Sequence, residues 1–350
     1  MSDTGKIKKR EIDRSNLLLG ALALGILLLT VTLCVGSIIR GERSQETSDA
    51  LPADKGGLGC VRILVAARDR ASGLCDVMML LSLDRGESRL SVLQIPRDTY
   101  VNFKDGSYRK INGAPAALGM DALCRSMEEA LGLPIDCYVR LSADAFRRAV
   151  DALGGVEMTL SEPMDYEDPA GGLSIHLEAG TRTLSGEEAE WFVRYRADYL
   201  RGDLGRLDAQ KSFLAALAKK ALSVRSPLKM ARLAAALLPE VETDLGLSEL
   251  LGLASAVTEL SEDRILFVTA PGEDVRGKNG GSYYVLSARG MERLLSEYFS
   301  SGTDAARFDP RRRFLNSENE EFRRIYESEG TFRIYSAKEI GESGISVPRT

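Results

Sequence analysis

Histidine is nearly absent from this chain: 350 residues contain one, His176. That excludes a metal site built from several imidazoles, and it excludes a Ser-His-Asp relay unless His176 serves it. Tryptophan also occurs once, and the five cysteines form no CxxC pair. Charge of one sign is lacking too: 46 Lys plus Arg stand against 51 Asp plus Glu, a net −5, which gives no general reason to expect nucleic-acid binding. Acid–base or metal work therefore falls to carboxylates, and carboxylates suit a hard cation such as Mg²⁺. About 44% of residues are apolar, enough for a packed core.

The apolar residues are unevenly spread. Residues 17–39 are uncharged and mostly apolar, and as a helix they would span roughly 35 Å, enough for a hydrocarbon core. Lys6, Lys8, Lys9, Arg10 and Arg14 precede them, so the positive-inside rule predicts a cytoplasmic tail (1–16), a transmembrane helix (17–39) and everything later outside the membrane. A cleaved signal peptide is disfavoured, because the run is too long and ends in Ile-Ile-Arg. Cys34 falls in the span. Cys60, Cys75, Cys124 and Cys137 fall outside, where Cys124 and Cys137 are placed either to bridge or to remain thiols.

Residues 40–57 are polar and read as a tether. From Val61 onward, strand and helix patterns alternate, which indicates a layered α/β domain. Strands are expected at 61–67, 76–84 and 89–95, the last two antiparallel across a short turn. Helical spacing covers 117–131 and stops at Gly132; Ser142 caps 143–153; Ser185 and Glu188 form a capping box for 186–192; a longer helix runs 203–223. Further helices are expected near 228–238, 247–260 and 288–299, with strands at 265–271 and 282–287. The expected divisions are a principal domain 58–223, a C-terminal portion of it at 224–300, and a charged tail 301–350.

Two charge clusters carry the chemistry. Asp69 follows the first strand, Asp76 opens the second, and Arg97 with Asp98 follows the third. An antiparallel arrangement gathers all four at one sheet edge. Carboxylates beside an arginine suit a Mg²⁺–phosphate site, although loop-end charges are often only solvated. Farther on, Arg194 and Arg196 share a face if the chain there is extended and diverge if a helix continues. Asp203, Arg206 and Gln210 lie on one face at the start of the long helix, where the positive helix end favours an anion; a solvated face with local Asp–Arg pairs is the alternative. Gly272–Lys278 imitates a P-loop, but Asn279 follows and no helix does, so an NTPase is excluded. His176, in an alternating segment, and Trp191 are expected to be structural.

These pieces, among them VLQIPRDTYV, YRKINGAPAALG, LEAGTRTLSGEEAEWFVRYR and GDLGRLDAQ, resemble the LytR-CpsA-Psr family in order and spacing over about 58–223. The resemblance implies a three-layer α/β/α sandwich with a hydrophobic channel for a lipid. It implies a membrane-bound phosphotransferase, acting outside the cell with Mg²⁺ (or Mn²⁺), that moves a glycopolymer from a polyprenyl-pyrophosphate carrier to peptidoglycan. It matches Asp69 and Asp76 to the metal-associated acids, Arg97, Arg194, Arg196, Arg206 and Gln210 to head-group contacts, Asp203 to a nearby acid, and Lys110 and Asn112 to a supporting motif. Departures occur at Ala67, Cys75, Val77, Ala209 and Lys211, where the family commonly has Gly, Ser or Thr, Arg and Gln. The alternatives to a transferase are a hydrolase using the same site and a non-enzymatic envelope-binding or regulatory protein. The general base stays open, with Asp69 compromised by its metal role.

Overall fold

Three consecutive apolar runs become the centre of one sheet. In a computed structural model, β1 (Cys60–Arg68), β2 (Cys75–Asp84) and β3 (Arg89–Ile95) pair antiparallel in succession. The structure describes residues 59–68, 74–102, 108–168, 173–195, 197–223, 241–245, 253, 260–300, 321–345 and 347. The expected membrane span, the tether, most of the helices near 228–238 and 247–260, and residues 301–320 lie outside these. Among the described residues no helix is long and apolar enough to cross a membrane.

The remaining elements follow in chain order. Short strands β4 (Tyr100–Asn102) and β5 (Tyr108–Lys110) form a ribbon after β3. Then come α1 (Ala114–Leu118), α2 (Met120–Leu131), β6 (Cys137–Ser142), α3 (Ala143–Ala152) and β7 (Val156–Leu160). A hairpin of β8 (Met164–Asp168) and β9 (Leu173–Leu177) precedes β10 (Gly180–Leu184), α4 (Gly186–Arg194) and α5 (Asp203–Ser223). The last part holds β11 (Val241–Thr243), β12 (Ile265–Thr269), β13 (Gly272–Arg276), β14 (Ser282–Leu286), α6 (Ala288–Tyr298), α7 (Arg323–Tyr326), β15 (Tyr335–Ser336) and α8 (Ala337–Ser343).

The main sheet has the order β11-β6-β1-β2-β3-β12-β15. β1 pairs parallel with β6, and β3 parallel with β12, so β6, β1, β3 and β12 all end at the same edge. β2 runs the other way and starts there. Helices cover both faces. Val61, Ile63, Val65 and Ala67 of β1 join Phe146 of α3, Phe192 of α4 and Phe213 of α5 in one core; Leu64 and Ala66 join Leu123 of α2 and Leu294 of α6 in another. A strand buried on both faces has no polar alternation, which is why these strands read as continuous apolar runs.

Local signals hold at the helix ends. The Ser142 hydroxyl accepts from Ala145 N at 3.2 Å, Ser185 and Glu188 close a capping box, and α2 stops where Gly132 turns left-handed (φ 67°). The expected tail is less irregular than its composition suggests. Phe322, Ile325, Tyr326, Ala337 and Ile340 are buried, and β15 adds a strand beside β12. Cys60, Cys75, Cys124 and Cys137 are all free thiols, so the Cys124–Cys137 bridge is not formed.

Candidate functional site at the carboxyl edge of the sheet

β3 delivers Arg97 and Asp98 to the edge where four strands finish. The chain then turns back through backbone bonds from Asn112 N to Arg97 O (3.2 Å) and from Ile111 N to Thr99 O (2.8 Å), which lays the Lys110–Asn112 segment against it. The Lys110 ammonium meets the Asp98 carboxylate at 2.8 Å, and Arg97 Nε stands 3.8 Å from the same side chain. Asn112 therefore contributes through its main chain and Lys110 through its charge.

The start of α5 is docked on the same edge. Gln94 Nε2 donates to Leu207 O at 3.4 Å. A side chain at position 205 would put its Cβ 2.8 Å from Tyr199 Cβ, so only Gly205 lets the helix sit this close to the preceding turn. Asp203 then lies between two arginines, 2.6 Å from Arg206 Nη2 and 3.6 Å from Arg97 Nε. Arg206 is 2% exposed and Gln210, one turn further on the same face, is 1% exposed. Neither the amide nitrogen nor the amide oxygen of Gln210 has a hydrogen-bond partner among the described residues. Leaving such a group unpaired costs about 1–3 kcal/mol, a cost that a bound polar ligand would remove.

The structure thus joins Arg97, Asp98, Lys110, Asp203 and Arg206, with Gln210 behind them. The two acids expected to hold a metal, Asp69 and Asp76, are less fully seen. β2 pairs Cys75 with Arg68, the last residue of β1, and Asp76 is the next residue of β2; Asp69 lies outside the described residues. Among the described residues no group of three or more His, Cys, Asp or Glu is placed to hold a metal ion. Arg196 is likewise outside. The helix before it ends at Arg194, and Tyr195 is extended (φ −58°, ψ 137°), which answers the question of whether the helix continues.

Arg194 is held separately. Its Nη1 is 2.6 Å from Glu190 Oε1, and Glu190 Oε2 is 3.2 Å from Arg147 Nε. Burial pushes the Glu190 carboxyl up, against the pull of Arg194 and Arg147. Beside the site, Lys211 and Arg201 both contact Asp208, and burial pushes Lys211 down.

Sequence reasoning passed over one acid. β13, from the P-loop look-alike, brings Asp274 to this edge. Asp274 is exposed at the surface, yet local desolvation, then Asp203 and Asp98, push its carboxyl above the ordinary range, while Arg201 works the other way. The parallel pairing of β12 with β3 puts whatever follows β12 beside whatever follows β3, and no local sequence signal announces it. His176 lies elsewhere, exposed on the β8–β9 hairpin between Asp165 (3.0 Å) and Glu167 (2.7 Å). Trp191 packs partly buried against the core.

A cavity of about 710 Å³ flanks α5. Tyr199 and Ala209 line it near the site; Met158, Leu160, Met164 and Phe192 line its apolar wall; Ile340 and Val347 of the tail close another side.

The model of the LytR_cpsA_psr family matches residues 42–299. Among curated proteins, the chain is 31% identical over 260 residues to TagU of Oceanobacillus iheyensis, a polyisoprenyl-teichoic acid–peptidoglycan teichoic acid transferase; the match covers 72% of this chain and 78% of that one. Among solved structures, Bacillus subtilis TagV is 29% identical with a TM-score of 0.59, covering 69% of this chain and 98% of that one. A structure of TagT bound to LIIa-WTA is 27% identical with a TM-score of 0.57, covering 76% and 97%.

Proposed function

The chain belongs to the LytR_cpsA_psr family, and we propose that it is a membrane-anchored extracellular phosphotransferase that moves a glycopolymer from a polyprenyl-pyrophosphate carrier to peptidoglycan. The observation that carries this reading is the Arg97–Asp203–Arg206 group at the carboxyl edge of the sheet, with the unpaired amide of Gln210 behind it. Ligands of open α/β sheets bind at this edge.

In the proposed reaction a sugar hydroxyl of peptidoglycan attacks the phosphorus nearest the glycan, and polyprenyl phosphate leaves. No covalent enzyme intermediate is required, so the scarcity of histidine is no obstacle. Arg97 and Arg206, fixed by Asp203, stabilise charge that spreads over the phosphoryl oxygens, and Arg194 and Arg196 extend the head-group contacts. A pair of carboxylates is suitable donor chemistry for Mg²⁺ or Mn²⁺, and Asp69 and Asp76 are the proposed holders. When bound, that ion would neutralise pyrophosphate charge.

The cavity beside α5, which has one apolar wall and also carries Glu157, Lys219 and Lys220, is the proposed berth for part of the isoprenoid. Residues 17–39 are the proposed anchor, with the N-terminus cytoplasmic and a three-layer α/β/α sandwich outside. The similarity to teichoic acid transferases supports a teichoic-acid-like donor. The test uses the full chain, a polyprenyl-pyrophosphate glycan and a peptidoglycan acceptor, and looks for the phosphodiester product. Full activity in the double variant Arg97→Ala/Arg196→Ala would sink the reading. Free phosphorylated glycan released equally fast with and without acceptor would replace it with hydrolysis.

A further inference from the structure

We infer that Asp274 takes the proton from the acceptor hydroxyl, an inference that rests on the transferase reading above. The argument starts from topology. β12 runs parallel to β3 with Thr269 opposite Gln94, and Ala270 N donates to Gln94 O at 2.9 Å. The chain leaving β12 therefore emerges beside the chain leaving β3. It forms the β13–β14 ribbon, in which Asp274 stands directly across from Tyr284. Tyr284 N donates to Asp98 O at 2.8 Å, so this point of the ribbon is tied to the residue next to Arg97.

The face of the ribbon is also fixed. Paired residues share a face. Tyr284 is buried, with its hydroxyl donating to Ala270 O at 2.7 Å, and a Cβ at Gly272 would lie 2.7 Å from its ring. Asp274 shares that face. The charges of Asp98 at the end of β3, Asp203 of α5 and Arg201 in the turn before α5 all act on its carboxyl. Its neighbour Glu273 lies on the opposite face and pairs with Arg324 of α7 at 3.3 Å.

Asp98, Asp203 and Asp274, three acids described at this edge, differ in what already holds them. Asp98 is bound by Lys110 and Arg97, and Asp203 by Arg206 and Arg97. A carboxylate paired with cations is a poor base. Asp274 makes no ion pair or side-chain hydrogen bond among the described residues, and it reaches solvent. Local desolvation and the negative charges of Asp203 and Asp98 raise its proton affinity, which improves a base working near neutral pH. The buried amide of Gln210, without a hydrogen-bond partner among the described residues, independently marks the same edge as a place for a polar ligand.

The step balances. The acceptor O–H bond breaks and its proton moves to an Asp274 oxygen. The freed electron pair forms the new O–P bond. The bridging P–O bond breaks, and its electrons leave with polyprenyl phosphate. Asp274 then returns the proton to solvent.

The experiment compares the full-length wild type with Asp274→Asn, Asp274→Glu and Asp274→Ala, using a polyprenyl-pyrophosphate glycan and peptidoglycan across pH 4.5–8.5. The expected result is a kcat for Asp274→Asn lowered about 100-fold or more, with donor KM within about twofold of wild type. The wild-type rate should fall as pH drops through the Asp274 pKa, that acid limb should vanish in Asp274→Asn, and Asp274→Glu should recover part of kcat and the limb. A kcat for Asp274→Asn near wild type, or an unchanged acid limb in an impaired variant, would overturn the inference and leave the transferase reading standing. No phosphodiester product from the wild type would overturn both.

Discussion

The cluster around Arg97 and the cluster around His176 use the same kinds of groups at the same separations. Around Arg97, ion pairs of 2.6–3.8 Å link Lys110, Asp98, Asp203 and Arg206. Around His176, contacts of 2.7 and 3.0 Å link Glu167 and Asp165. The difference lies in what surrounds them. The first cluster is walled in by β3, β5 and the start of α5, and it has a buried amide without a hydrogen-bond partner among the described residues. The second stands on the face of a two-stranded hairpin, where solvent screens each contact. Distance alone does not mark a site; a site also has groups that protein packing has dried and left unsatisfied.

The sharpest way to break this comparison is to remove one charge from each cluster. Arg206→Ala should lower the transfer rate by about 10²–10³-fold, the scale on which a positioned charge stabilises a transition state. A loss of less than tenfold, measured as phosphodiester formed per minute, would reduce the Arg97 cluster to the status of the hairpin.

Next in size is Glu190→Ala. Truncating one member of a buried ion group leaves its partners uncompensated, here Arg147 and Arg194, and should cost about 3 kcal/mol in urea unfolding. Transfer would also fall if Arg194 is held for the head group. Gln210→Leu should act in opposite directions on the two properties. Replacing an unpaired buried amide should raise stability by about 1 kcal/mol, while donor affinity drops about tenfold. A variant that gains stability and loses no affinity would remove Gln210 from the site.

The smallest effect is reserved for His176→Ala, with transfer and melting temperature unchanged within error. Its hydrogen bonds to Asp165 and Glu167 raise the imidazole pKa above its ordinary value. Any contribution to stability is therefore complete at acid pH, below the unfolded pKa, and is lost as pH rises through the folded one. An NMR titration of the single imidazole should give a midpoint above the ordinary histidine value; a midpoint at or below it would refute the hairpin contacts.

Much of this architecture is legible locally. α5 runs over 203–223 as its pattern predicts, and the caps at Ser142 and Ser185 use signals only a few residues long. The placing of Arg97 and Asp98 at the sheet edge follows from antiparallel neighbours, and the shared face of Asp203, Arg206 and Gln210 from helix spacing, but the meeting of the two clusters comes from the docking of α5 on the edge. Asp274 was hidden for a physical reason. Gly272–Lys278 has the composition of a loop, and its placement depends on β12 pairing in parallel with β3, about 175 residues away in sequence, which no local pattern encodes. The β8–β9 hairpin is only half marked: β9 alternates apolar and polar residues, whereas β8 is mostly polar.

β15 has a consequence in time. It covers the free edge of β12 through only two residue pairs, Leu266 with Ser336 and Phe267 with Tyr335. In a chain that folds as it is made, β12 is complete long before residues 335 and 336 arrive. During that interval the sheet ends in an uncovered strand, the feature most prone to recruit a strand from another molecule. The last thirty-odd residues are then the step that ends the hazard, and a shortened chain would meet its neighbours before it met its own edge.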